Sequence, residues 1–241
     1  MKVYFVGFGP GDVELLTLKG YRLLKEADVI IYPGSLVERE FLEEFEGEKI
    51  DSYGMNLEEI VGVIERAVKG GKKVVRLQSG DPSIFGAVGE QVRELEKRGI
   101  ECEIVPGVSS VFASAASLGI ELTAPSIPGV AIVRPKGRTL DEDYLDKLAE
   151  LPLTLAILLG VDKVKYVAER IGKVRGFDEP CAVVFHASRE DEAKIITNLG
   201  KVAEEVERRG IERTAVIVVG KVVQGYEERS VLYGKDSPSR V

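Results

Sequence analysis

Two carboxylates sit in glycine-rich loops that directly follow short apolar runs. Asp12 closes Gly7-Phe8-Gly9-Pro10-Gly11-Asp12, and Asp81 lies in Gln78-Ser79-Gly80-Asp81-Pro82-Ser83. A third loop of the same kind, Pro106-Gly107-Val108-Ser109-Ser110, offers hydroxyls instead. Glycine lets a backbone approach a ligand where a Cβ would collide. In an open parallel sheet such loops gather beyond the carboxyl ends of the strands, where ligands bind.

A dinucleotide site is the first chemistry to test, and it fails. The G-x-G-x-x-G fingerprint has Asp12 in its sixth position, Pro10 lacks the N–H a pyrophosphate needs, and Tyr32-Pro33-Gly34-Ser35 brings no acid after the second apolar run. Two carboxylates near one cleft repel a polyphosphate but suit a ligand carrying ammonium and sulfonium charge. S-adenosylmethionine carries both charges and no phosphate. A plainer reading stands beside this one: Asp12 caps a helix beginning near Glu14, Asp81 serves the turn before Pro82, and Ser109 or Ser110 caps the next helix.

The elements that must position these loops alternate in type. Strand-like runs at Lys2–Val6, Val29–Tyr32, Lys73–Leu77 and Glu101–Val105 are separated by amphipathic stretches at Leu15–Ala27, Asn56–Lys69, Phe85–Arg98 and Ser109–Leu118. Asn56 and Glu59 have the spacing of a capping box, with Gly70-Gly71 ending the helix. The two prolines of Glu121–Gly129 mark a linker. The expected domains are therefore 1–120 and 129–241, joined by 121–128. Beyond the linker, strands are predicted at Val130–Val133, Leu153–Leu158, Ala182–Phe185, Lys194–Thr197 and Ala215–Gly220. Helices are predicted near Leu140–Glu150, Lys163–Ile171 and Lys201–Arg209, followed by a charged tail from Glu227.

Composition narrows the function classes. Of 241 residues, 44% are hydrophobic and 30% charged, enough for a sizeable core under a charged surface. Thirty-three Lys and Arg against 40 Asp and Glu give −7, which argues against a chain built to neutralise nucleic-acid phosphates. Cys102 and Cys181 read as reduced, buried thiols rather than a disulfide or thiolate metal site. His186, the single histidine, reads as a structural hydrogen-bonding group and cannot anchor a typical zinc site without partners. No long apolar run and no signal-peptide pattern is present, so a cytoplasmic, membrane-free protein is expected.

Taken together, the loops resemble the tetrapyrrole methylase family. The resemblance runs through Val6-Gly7-Phe8-Gly9-Pro10-Gly11-Asp12, Leu16-Thr17-Leu18-Lys19-Gly20, Ala27-Asp28-Val29-Ile30, Gly80-Asp81-Pro82, Val105-Pro106-Gly107-Val108-Ser109-Ser110 and Thr214-Ala215-Val216-Ile217-Val218-Val219-Gly220. Within the family, Tyr32-Pro33-Gly34-Ser35-Leu36-Val37, Gly80 to Gly86, Arg134-Pro135-Lys136-Gly137-Arg138-Thr139, and Ala187-Ser188 with Asp191-Glu192 resemble the branch that methylates C11 of precorrin-4 or cobalt-precorrin-4. Uroporphyrinogen methylases usually carry Asp where this chain has Pro33. Two departures from the branch are His186, where a larger basic residue is common, and Arg189-Glu190, where Trp-Pro is usual.

The resemblance implies an α/β protein of two domains, an N-terminal parallel sheet and a C-terminal mixed sheet, with the cofactor in a cleft between them and a homodimer as the usual state. It implies S-adenosylmethionine contacts at Pro10, Ser79, Gly80, Asp81, Ile84, Ser109, Ser110, Leu159, Ala187, Thr214 and Ala215. A tetrapyrrole substrate would meet Gly34, Ser35, Arg134 and Arg138, the arginines offering planar forks to its carboxylates. No catalytic acid or base and no metal ligand is named. On composition alone, Arg134, Lys136 and Arg138 read as a solvated loop without partners. Three other readings stay open: a methylase of the same architecture with another precorrin carbon, a protein or an RNA as substrate; a nucleotide-dependent oxidoreductase, for which the fingerprint is missing; and a non-catalytic cofactor sensor.

Overall fold

The computed structural model describes residues 2–34, 37, 39–137 and 140–225. The charged tail expected from Glu227 lies outside the described residues. Contacts within the chain divide it into two units, Met1–Ser110 and Val111–Val241.

The first unit is built on a five-stranded, all-parallel sheet in the order β3-β2-β4-β1-β5. Its strands are β1 (Lys2–Gly7), β2 (Val29–Tyr32), β3 (Glu48–Asp51), β4 (Val74–Gln78) and β5 (Glu101–Val105). Every residue of β2 and β4 is buried, the continuous pattern required when helices cover both faces of a parallel sheet. On one face, Leu23 and Leu24 of α1 (Leu18–Lys25) and Leu42 of α2 (Arg39–Leu42) pack with Val6, Ile30, Val75 and Leu77. On the other, Ile60, Val61, Ile64 and Val68 of α3 (Leu57–Lys69), with Val88 and Leu95 of α4 (Val88–Glu96), pack with Val3, Phe5, Val29, Ile31 and Val74.

The α3 start follows the expected capping box. Asn56 Oδ1 accepts the Glu59 amide at 2.9 Å, and Glu59 Oε2 accepts the Asn56 amide at 2.8 Å. Two elements were not foreseen. The edge strand β3 reads Glu-Lys-Ile-Asp, too polar to signal a strand, and α2 is a single turn. Helix α4 also begins at Val88 rather than Phe85, because Phe85 (φ 52°) and Ala87 (φ 50°) are left-handed.

The second unit carries a mixed sheet in the order β6-β7-β10-β8-β9. Strands β6 (Val130–Val133) and β7 (Thr154–Ile157) are parallel, while β10 (Ala215–Val219) runs antiparallel to both β7 and β8 (Pro180–Phe185), and β9 (Ala193–Asn198) closes the edge antiparallel to β8. One face is covered by α6 (Leu145–Ala149), α7 (Val164–Arg175) and α8 (Val202–Arg208), through Leu145, Val167, Ile171, Val202 and Val206. Helix α6 is shorter than the stretch expected from Leu140.

The other face of this sheet is covered by α5 (Ser110–Leu118), whose Val111 and Ala115 pack on Ala182, Val216 and Val218. This helix was expected with the first domain and groups with the second. Residues 121–129 continue along that face: Leu122 and Ile127 are buried there, and Ala124 and Ile127 exchange backbone hydrogen bonds of 3.0 and 2.9 Å.

Candidate functional site

In the first unit, the loops after β1, β4 and β5 meet at the carboxyl edge of the sheet. Gly9 and Gly80 form an antiparallel bridge, with Gly80 N donating to the Gly9 carbonyl at 2.8 Å and Gly9 N to the Gly80 carbonyl at 3.2 Å. A Cβ on Gly7 would stand 2.6 Å from both the Cα and the N of Gly107, and one on Gly107 would overlap the Gly80 carbonyl oxygen. Only glycine fits at these two positions, so loops distant in sequence pack backbone to backbone.

Asp81 locks this arrangement. Its carboxylate accepts the Ser83 amide at 2.8 Å, the Gly107 amide at 2.9 Å and the Ser83 hydroxyl. Burial works against its charge, but the Ser83 hydroxyl and the Gly107 and Ser83 amides outweigh it and hold the carboxyl below its ordinary value. Asp12 takes the capping role foreseen for it, accepting the Glu14 amide at 2.8 Å. Both acids are thus engaged locally, and the three loops contain no Lys or Arg to meet a phosphate.

The remaining first-unit candidates sit on the same loops. Pro10 is buried beside the Gly9–Gly80 bridge, Ile84 N closes a turn onto the Asp81 carbonyl at 3.2 Å, Ser109 is buried, and Ser110 opens α5. Ser79 and Gly80 are partly exposed. The exposed Gly34 turn is held by Asp51, whose Oδ1 accepts the amides of Gly34 at 2.9 Å and Tyr53 at 2.8 Å. Asp51 went unread in the sequence, since nothing local links it to a turn 17 residues earlier. Ser35 lies outside the described residues.

In the second unit, Leu159, Ala187, Thr214 and Ala215 gather at one end of the mixed sheet. Ala215 pairs with Phe185 at the end of β8, and His186 N donates to the Thr214 carbonyl at 3.1 Å. Leu159 (φ 53°), His186 (φ 48°), Ser188 (φ 70°) and Thr214 (φ 56°) are all left-handed. With Phe85 and Ala87 they are the six non-glycine residues of positive φ among the described residues. Such conformations cost roughly 1–3 kcal/mol each and concentrate at functional sites.

His186 is engaged by its neighbours. Its ring stacks on Phe185 at 3.7 Å, and Nδ1 lies 2.8 and 2.9 Å from the Asp191 carboxylate oxygens. That contact holds the Asp191 carboxyl below its usual range. The loop after β6 is better held than composition implied. Asp143 accepts the Lys136 amide at 2.7 Å and the Tyr166 hydroxyl at 3.0 Å, and the Lys136 ammonium lies 5.2 Å from the Tyr166 ring centroid. Lys136, Gly137, Leu140, Asp141, Lys163 and Tyr166 line an open cavity of about 430 Å³. Arg134 begins this loop, and Arg138 lies outside the described residues.

Cys102 is half-buried and Cys181 fully buried; burial pushes their thiols up to about 11 and about 12, so both are neutral. Among the described residues no group of three or more His, Cys, Asp or Glu could hold a metal ion, and no helix is long and apolar enough to cross a membrane.

Residues 2–203 match the tetrapyrrole (corrin/porphyrin) methylase family. The chain belongs to the tetrapyrrole methylase family. A cobalt-precorrin-4 C(11)-methyltransferase of Methanocaldococcus jannaschii is 49% identical over 98% of this chain and 93% of its own. Among solved structures, a cobalt precorrin-4 methyltransferase of cobalamin biosynthesis superposes with a TM-score of 0.89 at 37% identity, covering 92% of this chain and 95% of that one. A uroporphyrin-III C-methyltransferase from Thermus thermophilus, solved in complex with S-adenosylhomocysteine, gives 0.81 at 37% identity, covering 95% and 96%. This tetrapyrrole methylase therefore shares with its solved relatives the pairing of a parallel and a mixed sheet.

A depressed Asp81 pKa contributes stability that is complete above its ordinary value of 3.8 and is lost as pH falls through the lower folded value. Asp81→Asn is expected to remove that contribution. In urea titrations, the stability gap between the protein and the variant should stay constant from pH 7 down to about 5 and shrink below about 4; a gap independent of pH would contradict the assignment.

Proposed function

We propose that this tetrapyrrole methylase transfers a methyl group from S-adenosylmethionine to C11 of cobalt-precorrin-4 or precorrin-4. The observation that carries the reading is the knot of Gly7, Gly80 and Gly107 pinned by the ionised Asp81. Its loops hold an anion and no cationic side chain, which fits a phosphate-free ligand bearing positive charge. The 49% identity to a relative named for this reaction supports the choice of substrate.

When bound, S-adenosylmethionine supplies a methyl carbon already activated by its sulfonium charge. That methyl group would pass from sulfur to the ring carbon in exchange for one proton of the macrocycle. The chain's residues therefore have only to bind and orient. Pro10, Ser79, Gly80, Asp81, Ile84, Ser109 and Ser110 of the first unit, with Leu159, Ala187, Thr214 and Ala215 of the second, are the proposed cofactor contacts. Gly34, Ser35, Arg134 and Arg138 are the proposed contacts to the macrocycle, the arginines pairing with its acetate and propionate groups. Holding an electron-rich ring carbon in line with the methyl group is worth about 7–11 kcal/mol of the barrier, so no strong acid or base is required.

Incubation with S-adenosylmethionine and each macrocycle under anaerobic conditions should yield a ring carrying one additional methyl group, located at C11 by carbon NMR. Failure to methylate either macrocycle would sink the reading, and the cobalt-bearing and cobalt-free arms identify the form used. Arg138→Ala should weaken macrocycle binding by about tenfold or more while leaving cofactor binding unchanged in calorimetry; equal losses in both would reject the role. We further propose a cytoplasmic homodimer, for which light scattering should report twice the 26.3 kDa chain mass.

A further inference from the structure

Strand β4 is the central strand of the first sheet, yet its middle residue is a cation. Arg76 is only 6% exposed. Its Nε faces Gln91 Oε1 on α4 at 3.4 Å, and a terminal nitrogen faces the Ile31 carbonyl on β2 at 3.5 Å. Both acceptors are neutral and both contacts are long for hydrogen bonds. Desolvation lowers its pKa to about 10, against which the charge of Asp51 works. Two residues further along the same face, Gln78 is also buried and its Nε2 has no partner among the described residues.

Such an arrangement is poorly explained by stability. A buried ion is costly, and a well-packed apolar side chain of similar volume is often as stable or more so. What distinguishes Arg76 is the pair of loops it reaches. Gln91, which accepts from Arg76, donates through Nε2 to the Ala87 carbonyl at 3.4 Å, at the end of the Phe85–Ala87 segment, whose first and last residues are left-handed. Asp51, the acid whose charge acts on Arg76, holds the Gly34 turn and Tyr53 through its carboxylate. One guanidinium thus contacts the Ile31 carbonyl near the end of β2, three residues before Gly34, and reaches the strained segment after β4 through Gln91.

We propose that Arg76 is a positioning residue that fixes the Gly34 turn and the Phe85–Ala87 segment relative to one another and so sets how tightly the tetrapyrrole fits. The proposal rests on the reading that the Gly34 turn meets the macrocycle. Arg76 acts through its contacts with the Ile31 carbonyl of β2 and with Gln91.

The test uses the full chain carrying Arg76→Met or Arg76→Lys. The Met variant should keep or raise its unfolding midpoint, raise the KM for the tetrapyrrole about tenfold or more and leave the cofactor Kd unchanged. Amide hydrogen exchange at Gly34 and Tyr53 should accelerate, and Lys should recover part of both effects. A variant that loses only thermal stability, or keeps KM and exchange rates at the level of the unsubstituted chain, would overturn the proposal. Should Arg76→Met fail to fold, Gln91→Met cuts the link to Ala87 alone. A raised tetrapyrrole KM in that variant supports the proposal, and an unchanged one overturns it. If the unsubstituted chain methylates no tetrapyrrole, the functional reading fails, and amide exchange still decides whether Arg76 holds the turn.

Discussion

Three backbones approach one another at the edge of the first sheet more closely than any side chain would allow. The Cα of Gly107 lies 2.6 Å from where a Cβ on Gly7 would stand, and the Gly80 carbonyl fills the corresponding space beside Gly107. Because the glycines come from the ends of three different strands, their contact fixes the relative height of β1, β4 and β5 as well as the shape of the surface beyond them. Asp81 joins the loops by charge-assisted hydrogen bonds to main-chain amides, stronger and more directional than apolar packing. The shape of this edge therefore depends on main chain held by main chain, with the Asp81 side chain closing the bonds between loops.

The second unit solves a related problem by other means. At the end of its mixed sheet Leu159, His186, Ser188 and Thr214 are held left-handed, each at an energetic cost that the strands behind them offset. Strand β10 is buried throughout and hydrogen-bonded on both sides, which gives the strained residues a rigid support. These left-handed residues bond to their own surroundings: His186 N donates to the Thr214 carbonyl, which ties the ends of β8 and β10 together, and Ser188 N donates to the Glu192 carboxylate at 2.7 Å.

Much of this was legible from the chain. Glycine, proline and aspartate directly after Val- and Ile-rich runs have few uses other than loops of this sort, so the three loops and their resemblance to a known family could be read residue by residue. The Asn56–Glu59 box was equally local, and the structure reproduces it bond for bond. Illegible features depend on partners far away in sequence. Phe85, Val88, Val92 and Leu95 have helical spacing, yet the helix cannot start before Val88. Gly86 is wedged where a Cβ would stand 2.6 Å from the Pro82 carbonyl oxygen, between two left-handed neighbours. Strand β3 is recognisable only by its pairing with β2, and the roles of Asp51 and Arg76 emerge only when β2, β3, β4 and α4 are assembled.

The strand order of the first sheet also bears on how the chain is made. Strand β1 is synthesised first, but its neighbours are β4 and β5, whose residues Val74–Gln78 and Glu101–Val105 follow much later. Until both have emerged from the ribosome, an apolar segment with open hydrogen-bonding edges must wait without its mates, the condition under which nascent chains associate wrongly. The glycine knot cannot close before Gly107 is available, so the carboxyl edge of this sheet is completed only when synthesis of the unit is nearly finished.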